Sequence, residues 1–318
     1  MDEFSIIAEF FAPLASDPAA FGLKDDAAAI PARPGFDTVI TTDTITQGTD
    51  FFAHDPPAMV AQKALRVNLS DLAAKGAVPA FYFLNLVLPH GVTRDWLKSF
   101  TDGLARDQHQ FGISLLGGDT SAGDLAAVSV TALGYVPTGT MLRRNGAKAG
   151  DSVYVTGTIG DSAGGLAIFK RENHALNEAQ RDHLIARYRI PDPPVAFGAG
   201  LRGLASASVD VSDGLIADLG HLAAQVAITV DVEKVPRSDA LRAFWGDEPA
   251  AIIRAITAGD DYQIAFTAQP QDESRIVAAA KAAGISVTAI GTVGAGQGVT
   301  VTHRGQILAI PKAGYRHF

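Results

Sequence analysis

The chain has 318 residues, of which 47% are hydrophobic, so it can bury a large core and is long enough for two domains. It contains no cysteine, which excludes disulfides, thiolate metal centres and a cysteine nucleophile. The formal net charge is −8 at pH 7 and no block of Lys or Arg is present, so we expect no nucleic-acid partner. An anionic ligand would therefore need a cation between itself and the protein.

No stretch of the sequence predicts a membrane span or an export signal. Residues 76–93 and 125–142 are uncharged, but Pro or Gly interrupts both, and their β-branched and aromatic residues favour strands and turns. The first residues, MDEF, carry acid where a signal peptide needs base. We expect a cytoplasmic protein with no membrane partner.

The first half of the chain predicts alternating helices and strands. Phe4, Ile7, Phe11 and Leu14 recur at helical spacing and predict an amphipathic opening helix. A strand at 38–42 delivers Asp43 at its end. Further strands are predicted at 80–88, where the apolar run is continuous enough for a buried strand, at 113–116 and at 125–135, helices at 63–77 and 93–111, and a turn at 117–118.

The second half repeats this alternation of helices and strands after a linker at 137–139. The linker places one domain at residues 1–137 and another at 138–318. Strands are predicted at 152–156, 227–232, 262–266, 286–290 and 299–301, helices at 162–170, 178–189 and 272–283, a further helix after the Pro-rich residues 190–194, and a strand, an Asp-rich turn and a helix within 206–226. The alternation in both halves predicts an α/β (α+β) protein of two domains.

Two glycine motifs suggest other classes of protein. GAGLRG at 198–203 matches a dinucleotide fingerprint, but it follows the start of a helix rather than a strand, so we reject that site. GDSAG at 160–164 matches a nucleophile elbow, which makes a serine hydrolase an alternative, with Ser162, Asp210 or Asp213, and His221 in the expected order. That alternative lacks a Gly-rich oxyanion loop upstream and leaves the acidic turns of the first half unexplained.

Short turns that set an Asp beside Gly, Ser, Thr or another Asp recur along the chain. They lie at 24–26, 41–43, 117–120, 210–214 and 259–261, and Asp71 adds a carboxylate to the polar face of the 63–77 helix. Like charges about 4 Å apart repel by roughly 4 kcal/mol at an effective dielectric of about 20. These carboxylates are therefore either scattered caps or ligands held together by cations, and their number and positions at strand ends favour the second.

Carboxylate and hydroxyl oxygens are hard ligands that suit Mg²⁺. Magnesium on carboxylates, in a chain without a Walker loop, is a means of binding a triphosphate through the metal. Arg144 and Lys148 could donate hydrogen bonds to phosphoryl oxygens. The pattern thus favours phosphoryl transfer from a triphosphate that is bound through magnesium.

Five segments in this order resemble the thiamine-monophosphate kinase family, which shares its fold with aminoimidazole ribonucleotide synthetase and selenophosphate synthetase. They are NLSDLAAKGA at 68–77, GGDT at 117–120, RNGAKAGD at 144–151, VSDGLIADLGH at 211–221 and GDDY at 259–262. The resemblance runs from Phe4 to about Gly291. It implies an N-terminal aminoimidazole ribonucleotide synthetase-like αβ domain, which binds ATP and Mg²⁺ and forms a homodimer through its strands, and a C-terminal αβ domain that completes the active site.

The activity that the resemblance implies is direct in-line transfer from ATP to thiamine monophosphate, giving thiamine diphosphate. The acceptor oxygen is already ionised at neutral pH, so no strong general base is required. The implied Mg²⁺ ligands are Asp26, Thr41, Thr42, Asp43, Asp71, Asp119, Asp210 and Asp213. The implied ATP contacts are Gly118, Asp119, Arg144 and Ser212, and catalytic roles fall to Asp71, Asp119, Asp213 and Arg144.

The chain departs from the family pattern at the acceptor end. Asp50 stands where the family has a substrate-contacting His, Asp260 where it has Glu, and Lys312 where it has a stacking Trp. These three are the candidate substrate-binding residues. The departures leave two alternatives open: another ATP-using synthetase of the same fold, such as an aminoimidazole ribonucleotide synthetase, or an ATP-binding protein with a decayed acceptor site. Selenophosphate synthetase is disfavoured because the chain has no cysteine.

Overall fold

A computed structural model describes residues 2–172 and 176–315. The chain divides into two compact units. Unit 1 comprises residues 1–72 and 77–139, and unit 2 comprises residues 73–76 and 140–318. Each unit combines a β-sheet with helices, which confirms the predicted fold class.

Unit 1 opens with a series of short helical turns. Helix α1 (Glu3–Ile6) continues into a π-turn at Ile7–Phe11 and 3₁₀ turns at Ala12–Leu14 and Pro18–Leu23. The predicted continuous amphipathic helix was therefore wrong. In the π-turn the Ala12 N–H bonds the Ile7 carbonyl five residues back, which shifts the helical phase. As a result Phe10 and Phe11 are buried, whereas Phe4 is 80% exposed.

The described residues of unit 1 form a four-stranded sheet with the order β1-β4-β2-β3. Its strands are β1 (Phe36–Thr46), β2 (Val78–Pro89), β3 (Ser114–Gly123) and β4 (Ala127–Pro137), and two long helices, α2 (Pro57–Ala74) and α3 (Arg94–Phe111), accompany them. Strands β2 and β3 are parallel, and the other neighbouring pairs are antiparallel.

Both long helices cover the same face of this sheet. Thr41 of β1, Ala132 of β4 and Tyr82 of β2 lie opposite one another, so their side chains share a face. The Thr41 hydroxyl bonds Asp71 of α2, and the Tyr82 hydroxyl bonds Gln108 of α3. The apolar face of α2, at Leu65, Leu69 and Leu72, is fully buried.

The strands of unit 1 are longer than the sequence predicted, which changes the position of two acidic segments. Asp43 lies within β1 rather than at its end. Gly118 lies within β3 rather than in a turn, because its backbone passes so close to β2 that an added Cβ would lie 1.8 Å from the Leu84 carbonyl oxygen. Strand β2 is buried on one face only, and Asn85 on its other face is exposed.

The described residues of unit 2 form a seven-stranded mixed sheet with the order β11-β10-β7-β9-β5-β8-β6. The strands are β5 (Ser152–Thr156), β6 (Ala205–Val211), β7 (Ala227–Asp231), β8 (Gln263–Ala268), β9 (Val287–Gly294), β10 (Gly298–His303) and β11 (Gln306–Ile307). The helices are α4 (Asp161–Phe169), α5 (Glu178–Arg189), α6 (Val195–Gly200), α7 (Leu215–Leu222), α8 (Asp239–Trp245), α9 (Pro249–Ile256) and α10 (Glu273–Ala282).

The sheet of unit 2 has an apolar cluster on each face. Val153 and Val155 of β5 belong to one cluster, and Tyr154 between them belongs to the other. Successive residues of a strand point to opposite faces, so helices must cover both sides. No helix among residues 2–172 and 176–315 is long and apolar enough to cross a bilayer.

Candidate active site

The structure brings Thr41, Asp43 and Asp71 together in unit 1. Thr41 and Asp43 are two residues apart on β1 and therefore point to the face that carries α2. The Thr41 hydroxyl donates a 2.5 Å hydrogen bond to Asp71 Oδ2. Asp71 lies one turn before the end of α2, and Gly76, in the left-handed conformation, follows that helix.

These carboxylates repel one another. Partial burial, together with the charges of Asp71 and Asp50, raises the pKa of Asp43 to about 6. Asp43 still contacts solvent, so its environment is a half-open acidic site. Two carboxylates and a neighbouring hydroxyl are ligands that fit Mg²⁺, whose charge would relieve the repulsion.

Thr42 and Asp50 form other hydrogen bonds, although the charge of Asp50 acts on Asp43. Thr42 points to the opposite face of β1, where its hydroxyl lies 3.1 Å from both the Val130 carbonyl oxygen and the Thr131 hydroxyl. Asp50 Oδ2 accepts hydrogen bonds from the N–H and the hydroxyl of Thr46, at 2.7 and 3.0 Å, within its own turn. The roles of Thr42 as a metal ligand and of Asp50 as a substrate contact stay predictions.

A second acidic site of unit 1 is a cavity of about 550 Å³ along β2 and β3. Asp26 and Asp119 both line it, as do Gly118 and Asn85. The N-terminal turns add apolar walls at Ile7, Phe11 and Leu23. The cavity thus combines carboxylates with an apolar surface.

The two acidic sites of unit 1 are separate. Asp43 lies opposite Val130, and Val130 lies opposite Leu84. Leu84 lies opposite Gly118, so Asp43 and Gly118 stand on the two edge strands, three strand spacings or about 14 Å apart. Asp119 follows Gly118 and points to the face away from the helices. Among the described residues, no group of three or more His, Asp or Glu side chains is arranged to hold one ion.

In unit 2 the residues after β6 form a tight acidic turn. Asp210 is a buried residue near the end of β6, and Ser212 and Asp213 follow it. Asp218 of α7 lies beneath this turn, and its Oδ2 accepts the N–H groups of residues 212, 213 and 214 at 3.0, 3.0 and 3.1 Å. Burial and the charge of Asp213 raise the pKa of Asp218 to about 7, against the effect of the three N–H donors.

Arg144 lies near this turn. Burial and the positive charges of Arg144 and Lys75 lower the pKa of His221, while Asp213 acts in the opposite sense. These groups therefore share one electrostatic environment in unit 2. The loop that carries Arg144 runs along β6, because the Ser208 N–H bonds the Arg143 carbonyl oxygen at 2.9 Å.

The turn at 259–262 packs against the acidic turn of unit 2. The Asp260 N–H bonds the Ser212 carbonyl oxygen at 2.8 Å, and the Asp260 carboxylate accepts a 3.1 Å hydrogen bond from the Tyr262 hydroxyl. Lys312 is exposed, and further along its segment the Tyr315 N–H bonds the Asp213 carbonyl oxygen at 2.9 Å. Asp260 thus lies beside Ser212, a predicted ATP contact.

Comparisons with known proteins assign the fold and the family. Residues 24–136 match the model of the AIR synthase related protein N-terminal domain, and residues 148–304 match that of the C-terminal domain. The thiamine-monophosphate kinase of Caulobacter vibrioides is 40% identical over 323 residues, covering 99% of this chain and 90% of that protein. This chain belongs to the thiamine-monophosphate kinase family.

Solved structures of the thiamine-monophosphate kinase family agree with this assignment. The enzyme from Stenotrophomonas maltophilia is 40% identical, covers 97% of this chain and 98% of its own, and superposes with a TM-score of 0.87. A structure described as AaThiL complexed with AMPPCP and TMP is 31% identical, covers 99% and 97% of the two chains, and has a TM-score of 0.80.

Neither alternative motif forms the site that its pattern suggested. Ser162 is 1% exposed, and its hydroxyl has no hydrogen-bond partner among the described residues. The Ser162 hydroxyl thus has neither the exposure of a nucleophile nor a hydrogen bond to His221, so the hydrolase alternative is wrong. The 198–203 glycines begin inside α6, which starts at Val195, so the motif follows the start of a helix, as predicted.

Sequence reasoning assigned no role to Asp218, although it lies within the VSDGLIADLGH segment of the thiamine-monophosphate kinase resemblance. The available signal was its spacing, four residues after Gly214, where a carboxylate in the first turns of a helix can reach back to unpaired N–H groups. Asn85 was also missed, because its place beside Asp119 depends on the pairing of β2 with β3.

Proposed function

We propose that this protein transfers the γ-phosphoryl group of ATP to thiamine monophosphate, giving thiamine diphosphate and ADP. The observation that carries the proposal is the 40% identity to a thiamine-monophosphate kinase over 99% of the chain. The relative complexed with AMPPCP and TMP supports the same pair of substrates. One P–O bond breaks at ATP, and one forms at the phosphate oxygen of the acceptor.

We propose that Mg²⁺ is required and that its ligands come from the residues that the resemblance named. They are Asp26, Thr41, Thr42, Asp43, Asp71, Asp119, Asp210 and Asp213. Bound magnesium would neutralise charge on the phosphate oxygens. The pKa of about 6 at Asp43 supports the proposal, because it reflects neighbouring carboxylates that a cation would relieve.

The remaining groups orient the nucleotide and the acceptor. Arg144 is the proposed donor to phosphoryl oxygens, and Gly118, Asp119 and Ser212 complete the proposed ATP contacts. The ionised acceptor needs no strong base, so the chain's contribution is positioning and charge neutralisation. Asp50, Asp260 and Lys312 are proposed at the thiamine end, where the chain departs from its family.

A product assay tests the function. Purified protein is mixed with ATP, Mg²⁺ and thiamine monophosphate, and both thiamine diphosphate and ADP are quantified. We expect them to appear in equal amounts. ADP without the diphosphate would indicate another acceptor, as in a different synthetase of this fold, and nucleotide binding without either product would indicate a decayed acceptor site.

We also propose a cytoplasmic homodimer. The location is expected of a reaction that consumes ATP. The dimer would pair through unit 1, where β1 is an 11-residue edge strand that exposes 61% of Ile40, the kind of edge that invites pairing. Light scattering should give twice the chain mass of 33.1 kDa; a monomer at micromolar concentration would refute the dimer.

A further inference from the structure

We propose that Asp218 is a positioning residue for the nucleotide site of unit 2: its carboxylate fixes the turn at 212–214 and so places Ser212 and Asp213 for Mg·ATP. This inference rests on the proposed function and concerns a residue that touches neither nucleotide nor metal itself.

Asp218 holds the turn through a single oxygen. Its side chain is 2% exposed, and Oδ2 accepts three consecutive backbone N–H groups, those of Ser212, Asp213 and Gly214. Hydrogen bonds to a carboxylate are stronger than those to a neutral acceptor. Three of them on neighbouring residues restrict the backbone of the whole turn.

The same hydrogen bonds decide how the turn can meet a ligand. Convergent N–H groups at the start of a helix form a binding site for anions such as phosphate. Here the Asp218 carboxylate of the same chain occupies that site. A nucleotide can therefore be contacted by the side chains of Ser212 and Asp213 but not by these three N–H groups.

Other backbone groups hold the turn from the opposite side. The Ser212 carbonyl oxygen accepts the Asp260 N–H at 2.8 Å, and the Asp213 carbonyl oxygen accepts the Tyr315 N–H at 2.9 Å. Gly259 packs so closely that an added Cβ would lie 2.4 Å from the Ser212 carbonyl oxygen. Without Asp218, the turn would keep the hydrogen bonds that its carbonyl oxygens accept. The N–H groups of Ser212, Asp213 and Gly214 would lose their common acceptor.

Asp161 offers a matched control in the same unit. Its side chain is 1% exposed and also accepts three hydrogen bonds, from Thr158, Ser238 and His183, but none of these donors belongs to the turn at 212–214. Asp161→Asn should therefore disturb a buried carboxylate without moving Ser212 or Asp213.

The test measures Mg·AMPPCP binding by calorimetry, the Mg²⁺ dependence of thiamine diphosphate formation, and the melting temperature. We expect Asp218→Ala to weaken Mg·AMPPCP binding by about 10- to 100-fold and to raise the Mg²⁺ requirement. Asp218→Asn, which keeps an acceptor oxygen, should recover part of the loss. Asp161→Asn should lower the melting temperature without changing either binding or the Mg²⁺ requirement.

Unchanged nucleotide binding and Mg²⁺ dependence in folded Asp218→Ala would overturn the inference, as would an equal weakening in Asp161→Asn. If Asp218→Ala does not fold, Asp218→Asn decides by the same criteria. Failure of the wild-type protein to make thiamine diphosphate would refute the proposed function, whereas the calorimetric comparison would still decide the role of Asp218.

Discussion

At the scale of single residues, the surroundings of each aspartate decide what its carboxylate can do. Asp161 and Asp261 are both buried, yet their pKa values move in opposite directions. Burial opposes ionisation of Asp161, but hydrogen bonds from His183, Ser238 and Thr158 outweigh it and lower the pKa. Complete burial raises the pKa of Asp261 well above 3.8, although the Gly160 N–H donates to it. The sequence shows where these aspartates are in the chain, but it could not predict that they are buried.

Asp261→Asn should become more stable relative to the wild type as pH rises. A raised folded pKa means that folded Asp261 keeps a proton that the unfolded chain releases near its usual value of 3.8. The wild type therefore loses stability between that pH and the folded pKa, and Asn, which cannot ionise, does not. Urea denaturation between pH 5 and pH 8 measures the difference in the free energy of unfolding.

Asp161→Asn is the control for this pH series. The lowered pKa of Asp161 gives a contribution that is complete above its unfolded value and is lost only as pH falls below it. The cost of that substitution should therefore stay constant from pH 5 to pH 8. If the wild type instead became more stable relative to Asp261→Asn as the pH rises, that result would contradict the raised pKa of Asp261.

Ser162→Ala should change the kinase rate little. The buried hydroxyl has no hydrogen-bond partner in the described parts of the chain, so its removal leaves no donor or acceptor unsatisfied. Steady-state kcat and the melting temperature check this expectation. Complete loss of activity in a folded variant would contradict this expectation and would give Ser162 a role in the kinase reaction.

At the scale of elements, the sequence predicted which segments form helices and strands better than where they end. Strand β5 and helix α5 have the predicted bounds, because clear turn and capping signals flank them. The glycines at 117–118 predicted a turn, but strand β3 continues through Gly118. The glycine is required there by close contact with β2, which the sequence pattern does not reveal. Helices α8 and α9 are short, and the sequence pattern assigned them no element.

Gly118→Ala should destabilise unit 1 by about 3 kcal/mol or more, because the new Cβ would lie 1.8 Å from the Leu84 carbonyl oxygen and force β2 and β3 apart. Gly220→Ala is the matched control. An added Cβ at Gly220 in helix α7 meets nothing within 4 Å, so this variant should gain about 0.5–1 kcal/mol. Thermal unfolding compares the two, and a Gly118→Ala protein as stable as the wild type would contradict the close packing of β2 on β3.

At the scale of the whole molecule, the motifs predicted the family, and within unit 1 the structure arranges their residues in two groups. Thr41, Asp43 and Asp71 form one group, and Asp26 and Asp119 line another. Sequence spacing could not predict this separation, because it follows from strand order. β1 and β3 are the two edge strands of the sheet, although each carries a similar acidic segment.

Asp71→Asn should abolish turnover while the protein stays folded. The substitution removes a carboxylate charge from the proposed magnesium site but keeps an acceptor for the Thr41 hydroxyl. We expect a loss of more than about 100-fold in kcat/KM. Asp102→Asn, at an exposed helix position paired with Lys98, is the control and should keep full activity. Full activity in Asp71→Asn would overturn its assignment.

The most direct test of the central claim follows the terminal phosphate of ATP labelled at the γ position, in the presence of thiamine monophosphate and the wild-type protein. We predict that the label appears in thiamine diphosphate in equal amount with ADP, that excess EDTA stops the transfer, and that added Mg²⁺ restores it. Label released only as inorganic phosphate, or transfer that persists without a divalent cation, would contradict magnesium-dependent phosphorylation of thiamine monophosphate.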